Sequence, residues 1–251
     1  MCRLDNKVET QFVKWDEKCN KFGDLMSAEP SKLKITEGMT YYAKVRTHEA
    51  QKKQKRIDDL LTCTFDNVDL VDFDFPTENL FQKDIAAVVQ YFEMVILCYQ
   101  NNLQYPETFP TDFDLNYNPD NKILIVEYSL PAPNDLPTLT EVRYIATSGD
   151  IKELFLSETQ ISKKYDTAIY KVTLRTLYEL FKADKAEALD AIIFNGWVNS
   201  INKATGKRVN NCIVTIQVKK TEFNEIELPN IDAKICFKHF KGVGSSKLSG
   251  I

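Results

Sequence analysis

Hydrophobic positions recur with the period of an α-helix in five parts of the chain. The two strongest patterns span about 84–100 and 159–183, where apolar side chains return every three or four residues and predict broad buried helix faces. Weaker patterns cover 40–62 and 231–240. A short seam over 8–22 alternates spacings of four and three, which fits either the start of a coiled coil or a helix docked on its own domain.

Alternating apolar and polar residues predict strands in the second half of the chain. FDLNY and KILIVEYSL flank the turn residues 118–121 and predict one hairpin, EVRYIAT at 141–147 predicts another strand, and 190–220 predicts a long hairpin. A further strand is predicted near 223–228. Because the helices are separate from this run of strands, the pattern predicts an α+β fold, a helical N-terminal region followed by an antiparallel sheet packed on one long helix.

Two prolines in the segment QYPETFP cannot continue the helix that precedes them. We therefore predict a boundary near residue 106, between a helical region over 1–105 and an α+β domain over 106–251. The helix over 159–183 is expected to be the core helix of that domain.

Composition narrows the class of protein. Apolar residues make up 43% of the chain, which is enough for a substantial core, and the net charge of −4 gives the whole chain no field that draws polyanions. The six cysteines form no CxxC pair, and no apolar run approaches the roughly 20 residues of a membrane-spanning helix. We therefore expect a cytoplasmic protein with free thiols, no membrane partner and no zinc site, since His48 and His239 lack partners at finger-like spacing.

Basic residues cluster at two places and are the candidates for contact with DNA. A solvated helix face is the favoured interpretation of the first cluster, and the second also complements the dipole of its own short helix. The two clusters are Lys52, Lys53, Lys55 and Arg56, and Lys234, Lys238, Lys241 and Lys247.

The long hairpin supplies the candidate catalytic residues. If its strands pair symmetrically about the turn NKATGK, Asp190 lies opposite Lys219 and the side chain of Gln217 shares their face. An aspartate beside a (D/E/Q)xK triple is how PD-(D/E)xK nucleases gather Mg²⁺ and a charge-stabilising lysine. A cross-strand ion pair explains the same residues, and the opposite face, which carries Trp197, is expected to lie in the core.

Two smaller constellations have both a functional and a structural interpretation. Tyr144, Tyr165 and Phe194 are candidates for stacking a base in a nucleotide-sensing pocket. Cys236 and His239 lie at i and i+3 on one predicted helix, a spacing open to a nucleophile and its base but common in structural helices.

Several segments together resemble the region that precedes the nuclease domain in bacterial Mrr-like restriction endonuclease family proteins. The resemblance covers about 84–251 and is carried by NKILIVEYSLP, EVRYIATSGDIKE, VTLRTLYELFKAD, AIIFNGWVNSINKATGKRVNNCIVTIQ and CFKHFKGVGSSKL. It implies defence against foreign DNA and a Mg²⁺-dependent PD-(D/E)xK domain further along, of which no ExK triple is present in these residues.

The resemblance leads to one preferred function and two alternatives. The preferred one is a non-catalytic module that senses, oligomerises or positions DNA, with a nuclease supplied in cis or in trans and no cofactor of its own. Its partners would be DNA and a protein or second copy bound through the N-terminal helix. The alternatives are a degenerate nuclease that uses Asp190, Gln217 and Lys219 with Mg²⁺, and a nucleotide sensor.

Overall fold

The computed structural model describes residues 32–62, 82–103, 105–201, 205–245 and 248–250. The seam over 8–22 lies outside these residues, so self-association through it stays a prediction. The helices are α1 (Lys32–Asp58), α2 (Ile85–Leu103), α3 (Glu158–Ala183), α4 (Lys220–Phe223) and α5 (Ala233–His239). The strands are β1 (Phe113–Asn118), β2 (Ile123–Ser129), β3 (Leu139–Ile145), β4 (Asp150–Phe155), β5 (Ala191–Ile201), β6 (Arg208–Lys219) and β7 (Val243–Gly244).

The α+β class is confirmed, but the chain does not divide near residue 106. It forms two compact units, Met1–Lys52 with Leu139–Phe155, and Lys53–Thr138 with Leu156–Ile251. The predicted boundary falls inside the second unit because α2, on its N-terminal side, packs against α3 and β1 in one core. The prolines end α2 without ending the domain.

The first unit pairs the β3–β4 hairpin with the N-terminal part of α1. Thr47 of α1 makes the joint, because its Oγ1 accepts a hydrogen bond from the Val142 amide at 2.8 Å and lies 3.1 Å from the Val142 carbonyl. A helix side chain thus satisfies backbone groups at the free edge of β3. The sequence did not predict β4, whose side chains are mostly exposed and show little alternation.

The second unit contains a five-stranded sheet of order β1-β2-β5-β6-β7, which is mixed rather than antiparallel. The hairpins β1–β2 and β5–β6 are antiparallel as predicted, whereas β2 and β5 run parallel, with Ile123 beside Ala191 and Ser129 beside Trp197. Parallel neighbours need a long connection. Here the chain between them forms β3, β4 and α3 before it returns as β5.

Helices α2 and α3 pack together over this sheet. The helix α3 begins at a capping box, in which Ser157 Oγ accepts from the Gln160 amide and Gln160 Oε1 accepts from the Ser157 amide at 2.9 Å. Tyr165, Ile169, Leu177 and Leu180 of α3 are fully buried, so the prediction that this helix forms the centre of the core is confirmed. In the described part of the chain, no helix is long and apolar enough to cross a membrane.

The segment predicted as a strand near 223–228 is instead a turn and an irregular stretch between two short helical elements. Residues Lys220–Phe223 form α4, and a 3₁₀ turn follows at Leu228–Asn230. Phe223 and Leu228 are buried, which produces the apolar spacing that suggested a strand. The last helix, α5, begins two residues later than predicted, after the side chain of Asp232 accepts from the Ile235 amide at 2.9 Å.

A β-bulge interrupts the long hairpin. Near the turn the register is the predicted one, with Trp197 beside Cys212 and Ile201 beside Arg208. Beyond Trp197, however, Gly196 pairs with Val214, so Ile213 is an extra residue in β6. Both Ile213 and Val214 are buried, as expected where the alternation of side chains breaks.

Gly196 is fixed in place by its neighbours. A Cβ at this position would lie 2.3 Å from Leu130 Cδ1 and 2.6 Å from Val214 Cγ2, inside the van der Waals contact distance. Only glycine fits at this position of β5, because the Leu130 side chain occupies the space that a larger side chain would need.

We predict that Gly196→Ala lowers the free energy of unfolding by about 2 kcal/mol, because the added methyl group overpacks the bulge. Urea unfolding measures this directly. Gly38→Ala is the control. Nothing lies within 4 Å of the Cβ that alanine would add there, and alanine is more favourable than glycine in a helix interior by up to about 1 kcal/mol. A Gly196→Ala variant as stable as the parent would contradict the tight bulge.

Candidate functional site

The bulge decides which hairpin residues face the core. Ile192, Phe194 and Val198 of β5 are completely buried, whereas Trp197 is half-buried on the other face. The prediction that the Trp197 face lies in the core is therefore wrong for β5, although it is right for Val214, Ile216 and Val218 of β6. The extra residue, Ile213, lets these β6 residues share the face of Ile192 and Phe194.

On the outer face, a polar row crosses three strands. The carboxylate of Glu127 accepts from Asn195 Nδ2 at 2.8 Å and from the indole N–H of Trp197, and Thr215 Oγ1 donates to Asn195 Oδ1 at 2.6 Å. Both donors to Glu127 are uncharged. Burial, and then the charge of Glu127, raises the pKa of the Cys212 thiol, so this thiol is protonated at neutral pH and is no activated nucleophile.

The candidate catalytic residues meet in a groove but not in the predicted register. Ala191, and not Asp190, pairs with Lys219, and Ile193 pairs with Gln217, because the bulge shifts β6 by one residue. Asp190 precedes β5 and is exposed. All three candidates nevertheless line one open groove of about 640 Å³ at the end of the hairpin, with Lys122, Glu187 and Lys220 among its other residues.

Beneath this groove lies a buried carboxylate that the sequence did not predict. Asp184, whose side chain is 1% exposed, accepts from the amides of Ala188 and Leu189 at 2.8 and 3.0 Å and from Lys220 Nζ at 2.7 Å. A negative charge directly after a helix C-terminus is unfavourable because the dipole is negative at that end. An aspartate at position 184 is therefore the sequence signal that could have predicted a special role for this residue. Lys220 is therefore committed to Asp184 rather than to a ligand in the groove.

The tyrosines around Asp184 complete this arrangement. Tyr117 donates to the Ala188 carbonyl at 2.8 Å and Tyr91 donates to the Ala183 carbonyl at 2.8 Å. Burial, and then the charges of Asp184 and Asp190, raise the pKa of Tyr117 to about 12, so its hydroxyl keeps the proton that it donates. The segment between α3 and β5 is thus held by side chains from β1, α2 and α4.

Two carboxylates, Asp190 and Glu187, share the groove with Lys122 and Lys219. Among the residues that the structure describes, no group of three histidine, cysteine, aspartate or glutamate side chains could hold a metal ion. The nuclease alternative therefore has no support beyond the shared groove and stays a prediction.

The predicted basic residues are exposed wherever they are described, apart from Arg56. Lys234 and Lys238 lie on α5, Lys241 follows it, and Lys52, Lys53 and Lys55 lie on α1, where Arg56 is half-buried. Lys247 lies outside the described residues. Their contact with DNA stays a prediction.

Two basic residues at the tip of the long hairpin were not predicted as DNA contacts. Lys207 is exposed directly after the turn residue Gly206, whose φ is 66°, and Arg208 is the exposed first residue of β6. This pair is shorter than the two clusters of four bases that the sequence predicted as candidates. The missed signal is the absence of any acid around them, since residues 191–221 contain Lys203, Lys207, Arg208, Lys219 and Lys220 but no aspartate or glutamate.

The aromatic and thiol constellations do not form the predicted sites. Tyr165 and Phe194 are both fully buried, and Tyr165 donates to the Pro131 carbonyl at 2.9 Å, so neither ring offers a face to a nucleotide. Tyr144 lies in the first unit. Cys236 is buried and its pKa is raised to about 11 by burial, while His239 is exposed, so the two do not form a nucleophile and base.

No protein-family model, curated protein or solved structure matches this chain.

We predict that Asp184→Ala lowers the free energy of unfolding by about 3 kcal/mol, because it leaves two buried amides and the Lys220 ammonium without their acceptor. Urea unfolding is the measurement. Asp190→Ala, which removes an exposed carboxylate six residues away in the sequence, is the control and should change stability by less than about 0.5 kcal/mol. Equal effects of the two variants would show that Asp184 is not a structural anchor.

We also predict that the groove residues cut no DNA. Supercoiled plasmid incubated with the chain and Mg²⁺ should remain intact, and Lys219→Ala should give the same result as the parent. Magnesium-dependent cleavage that Lys219→Ala abolishes would restore the nuclease alternative.

Proposed function

We propose that this chain is a non-catalytic DNA-positioning module of a restriction-type defence protein, which works with a nuclease supplied in cis or in trans. The observation that carries the proposal is the basic turn end of the β5–β6 hairpin, where Lys207 and Arg208 are exposed and no acid occurs over 191–221. The restriction-type context and a cytoplasmic location rest on the sequence alone. Sensing and oligomerising roles have no comparable support among the described residues.

The hairpin extends past the strands on either side of it. β2 pairs with β5 only over 191–197, and β7 pairs with β6 only at 214–215. Among the described residues, 198–201 and 208–211 pair only with each other, but Val198 is fully buried in the core, so the exposed two-stranded ribbon consists of the three residue pairs over 199–201 and 208–210. At about 3.4 Å per residue, this ribbon projects by about 10 Å before the turn begins.

The charges at the end of this ribbon suit a polyanion. Lys207 and Arg208 are exposed there, and Lys203 follows β5 in the sequence. Phosphates attract such side chains over a Debye length of about 8 Å at physiological salt, and a ribbon that stands away from the acidic remainder of the chain keeps that attraction local. A net charge of −4 for the whole chain therefore does not oppose binding at this end.

The exposed lysines of α5 are a second basic surface in the same unit. No acid follows Asp232 in the sequence, so Lys234, Lys238 and Lys241 are not countered by later residues. Their contribution to binding should be uniform over DNA sequences, as expected for contacts to phosphate.

We predict that the chain binds duplex DNA with an affinity that falls as salt rises, and that Lys207→Ala with Arg208→Ala weakens this binding. Each positive charge lost from the DNA interface should make the slope of log K against log salt shallower by up to about 0.9, so the double variant should change it by up to about 2. Fluorescence anisotropy with a mixed-sequence duplex over several salt concentrations measures the slope.

The control is Lys163→Ala with Lys185→Ala, which removes the same charge from two exposed positions outside the hairpin. This pair should leave the slope unchanged. No binding at low salt, or equal slopes for the two double variants, would overturn the proposed function.

A further inference from the structure

The two faces of the projecting ribbon differ in what their side chains do. Cross-strand pairing places Asn199 beside Asn210 and Ile201 beside Arg208, and all four side chains are exposed on one face. On the other face Val198 is fully buried, and Asn211 Nδ2 donates to Ser200 Oγ at 3.3 Å. We call the first set, Asn199, Ile201, Arg208 and Asn210, the reading face.

We propose that the reading face contacts base edges in the major groove of duplex DNA. This inference rests on the proposed function and adds to it the groove and the bases that are recognised. The ribbon, rather than the groove near Asp190, is the surface that would carry sequence preference.

The dimensions of the ribbon agree with this groove. Two paired strands are about 4.8 Å apart, and the major groove of B-DNA is about 12 Å wide and 8.5 Å deep, which admits a two-stranded ribbon with its side chains. The minor groove, at about 6 Å, is too narrow for the same element. A projection of about 10 Å is long enough to reach the floor of the major groove, which is about 8.5 Å deep.

The chemistry of the reading face matches the edges that the major groove presents. A carboxamide such as that of Asn199 or Asn210 pairs with the N6 and N7 atoms of adenine, and the planar fork of Arg208 pairs with O6 and N7 of guanine. Neither asparagine side chain has a hydrogen-bond partner among the described residues, so both amides are available. The other asparagine of the ribbon, Asn211, is engaged with Ser200.

Ile201 adds an observation of a different kind. It is 62% exposed at the end of β5, beyond the last pair with β2, and is one of the few large apolar side chains of the described chain left in solvent. An isoleucine in this position contacts the C5-methyl group of thymine, which is an apolar feature of the major groove. Its neighbour across the ribbon, Arg208, keeps the face compatible with nearby phosphates.

The test begins by enriching bound duplexes from a random pool with the full chain. The enriched duplexes are expected to share a few fixed base pairs, at which A·T and T·A, or G·C and C·G, are not interchangeable, because the major groove distinguishes the two orientations of each pair. Asn199→Ala with Asn210→Ala should then reduce the ratio of affinities for the preferred and a scrambled duplex by at least about tenfold, since each good bidentate contact contributes on that order. Binding to the scrambled duplex should stay within about twofold of the parent.

Two controls separate base reading from a general loss of binding. Ser200→Ala with Asn211→Ala changes the other face of the same ribbon and should leave the preference intact. Arg208→Lys keeps the charge but loses the planar fork, so it should lower discrimination at a guanine while the salt slope stays unchanged.

The outcomes distinguish this inference from the function on which it rests. Salt-dependent binding without any enriched sequence, or a preference that survives the Asn199 and Asn210 changes, would overturn base reading and leave DNA positioning standing. Replacing a contacted adenine by 7-deazaadenine should weaken binding, and no effect at any preferred adenine would also contradict major-groove reading. Absence of DNA binding would overturn both.

Discussion

The extra residue of β6, Ile213, which lies opposite the step from Gly196 to Trp197, is the constraint on which the arrangement of the second unit depends. Gly196 accommodates it because Leu130 packs where a side chain would be, and the Leu130 amide donates to the Trp197 carbonyl at 2.7 Å. From Val214 to Val218 the even-numbered residues of β6 face the core, whereas nearer the turn the odd-numbered Asn211 takes that face. A bulge thus changes the side-chain parity of one strand and leaves its partner regular. If the register of Val214–Val218 continued to the turn without this bulge, Asn199 would pair with Asn211, and Arg208 would not share an exposed face with Ile201.

The other end of the hairpin is held by polar contacts in the interior. Asp184 accepts from backbone amides of the turn between α3 and β5 and binds Lys220, the first residue of α4. The hydroxyls of Tyr91 and Tyr117 donate to neighbouring carbonyls of the same segment. A buried carboxylate with three donors is costly to disrupt, because the remaining groups lose their only compensation. The hairpin is therefore fixed at its base and at its bulge, and only the three residue pairs beyond the buried Val198 project. This rigidity is what a recognition element needs, since positioned side chains lose less entropy on binding.

The sequence predicted the elements more successfully than their arrangement. Helices α2 and α3 follow from periodicity, and α3 begins directly after the Ser157 that caps it. The register near the turn followed from symmetry, but the bulge could not, because it depends on Leu130, which is distant in sequence from Gly196. Parallel pairing of β2 with β5 was missed for a similar reason: local patterns carry no information on strand order.

The sequence placed Asp190, Gln217 and Lys219 together on the basis of the wrong register. The three residues nevertheless line one groove. Lys207 and Arg208 were missed because a pair of bases does not stand out in the sequence. Their position becomes informative only in the structure, where the ribbon that carries them projects.

Backbone amide chemical shifts, recorded by NMR on the labelled full chain during titration with duplex DNA, test the central claim most directly. We expect the largest changes at residues 199–201 and 208–210, smaller ones at α5 and none at the buried residues of α3. Changes centred on the groove at Asp190 and Lys219, with the ribbon unaffected, would contradict the claim that the projecting hairpin is the part of this protein that meets DNA.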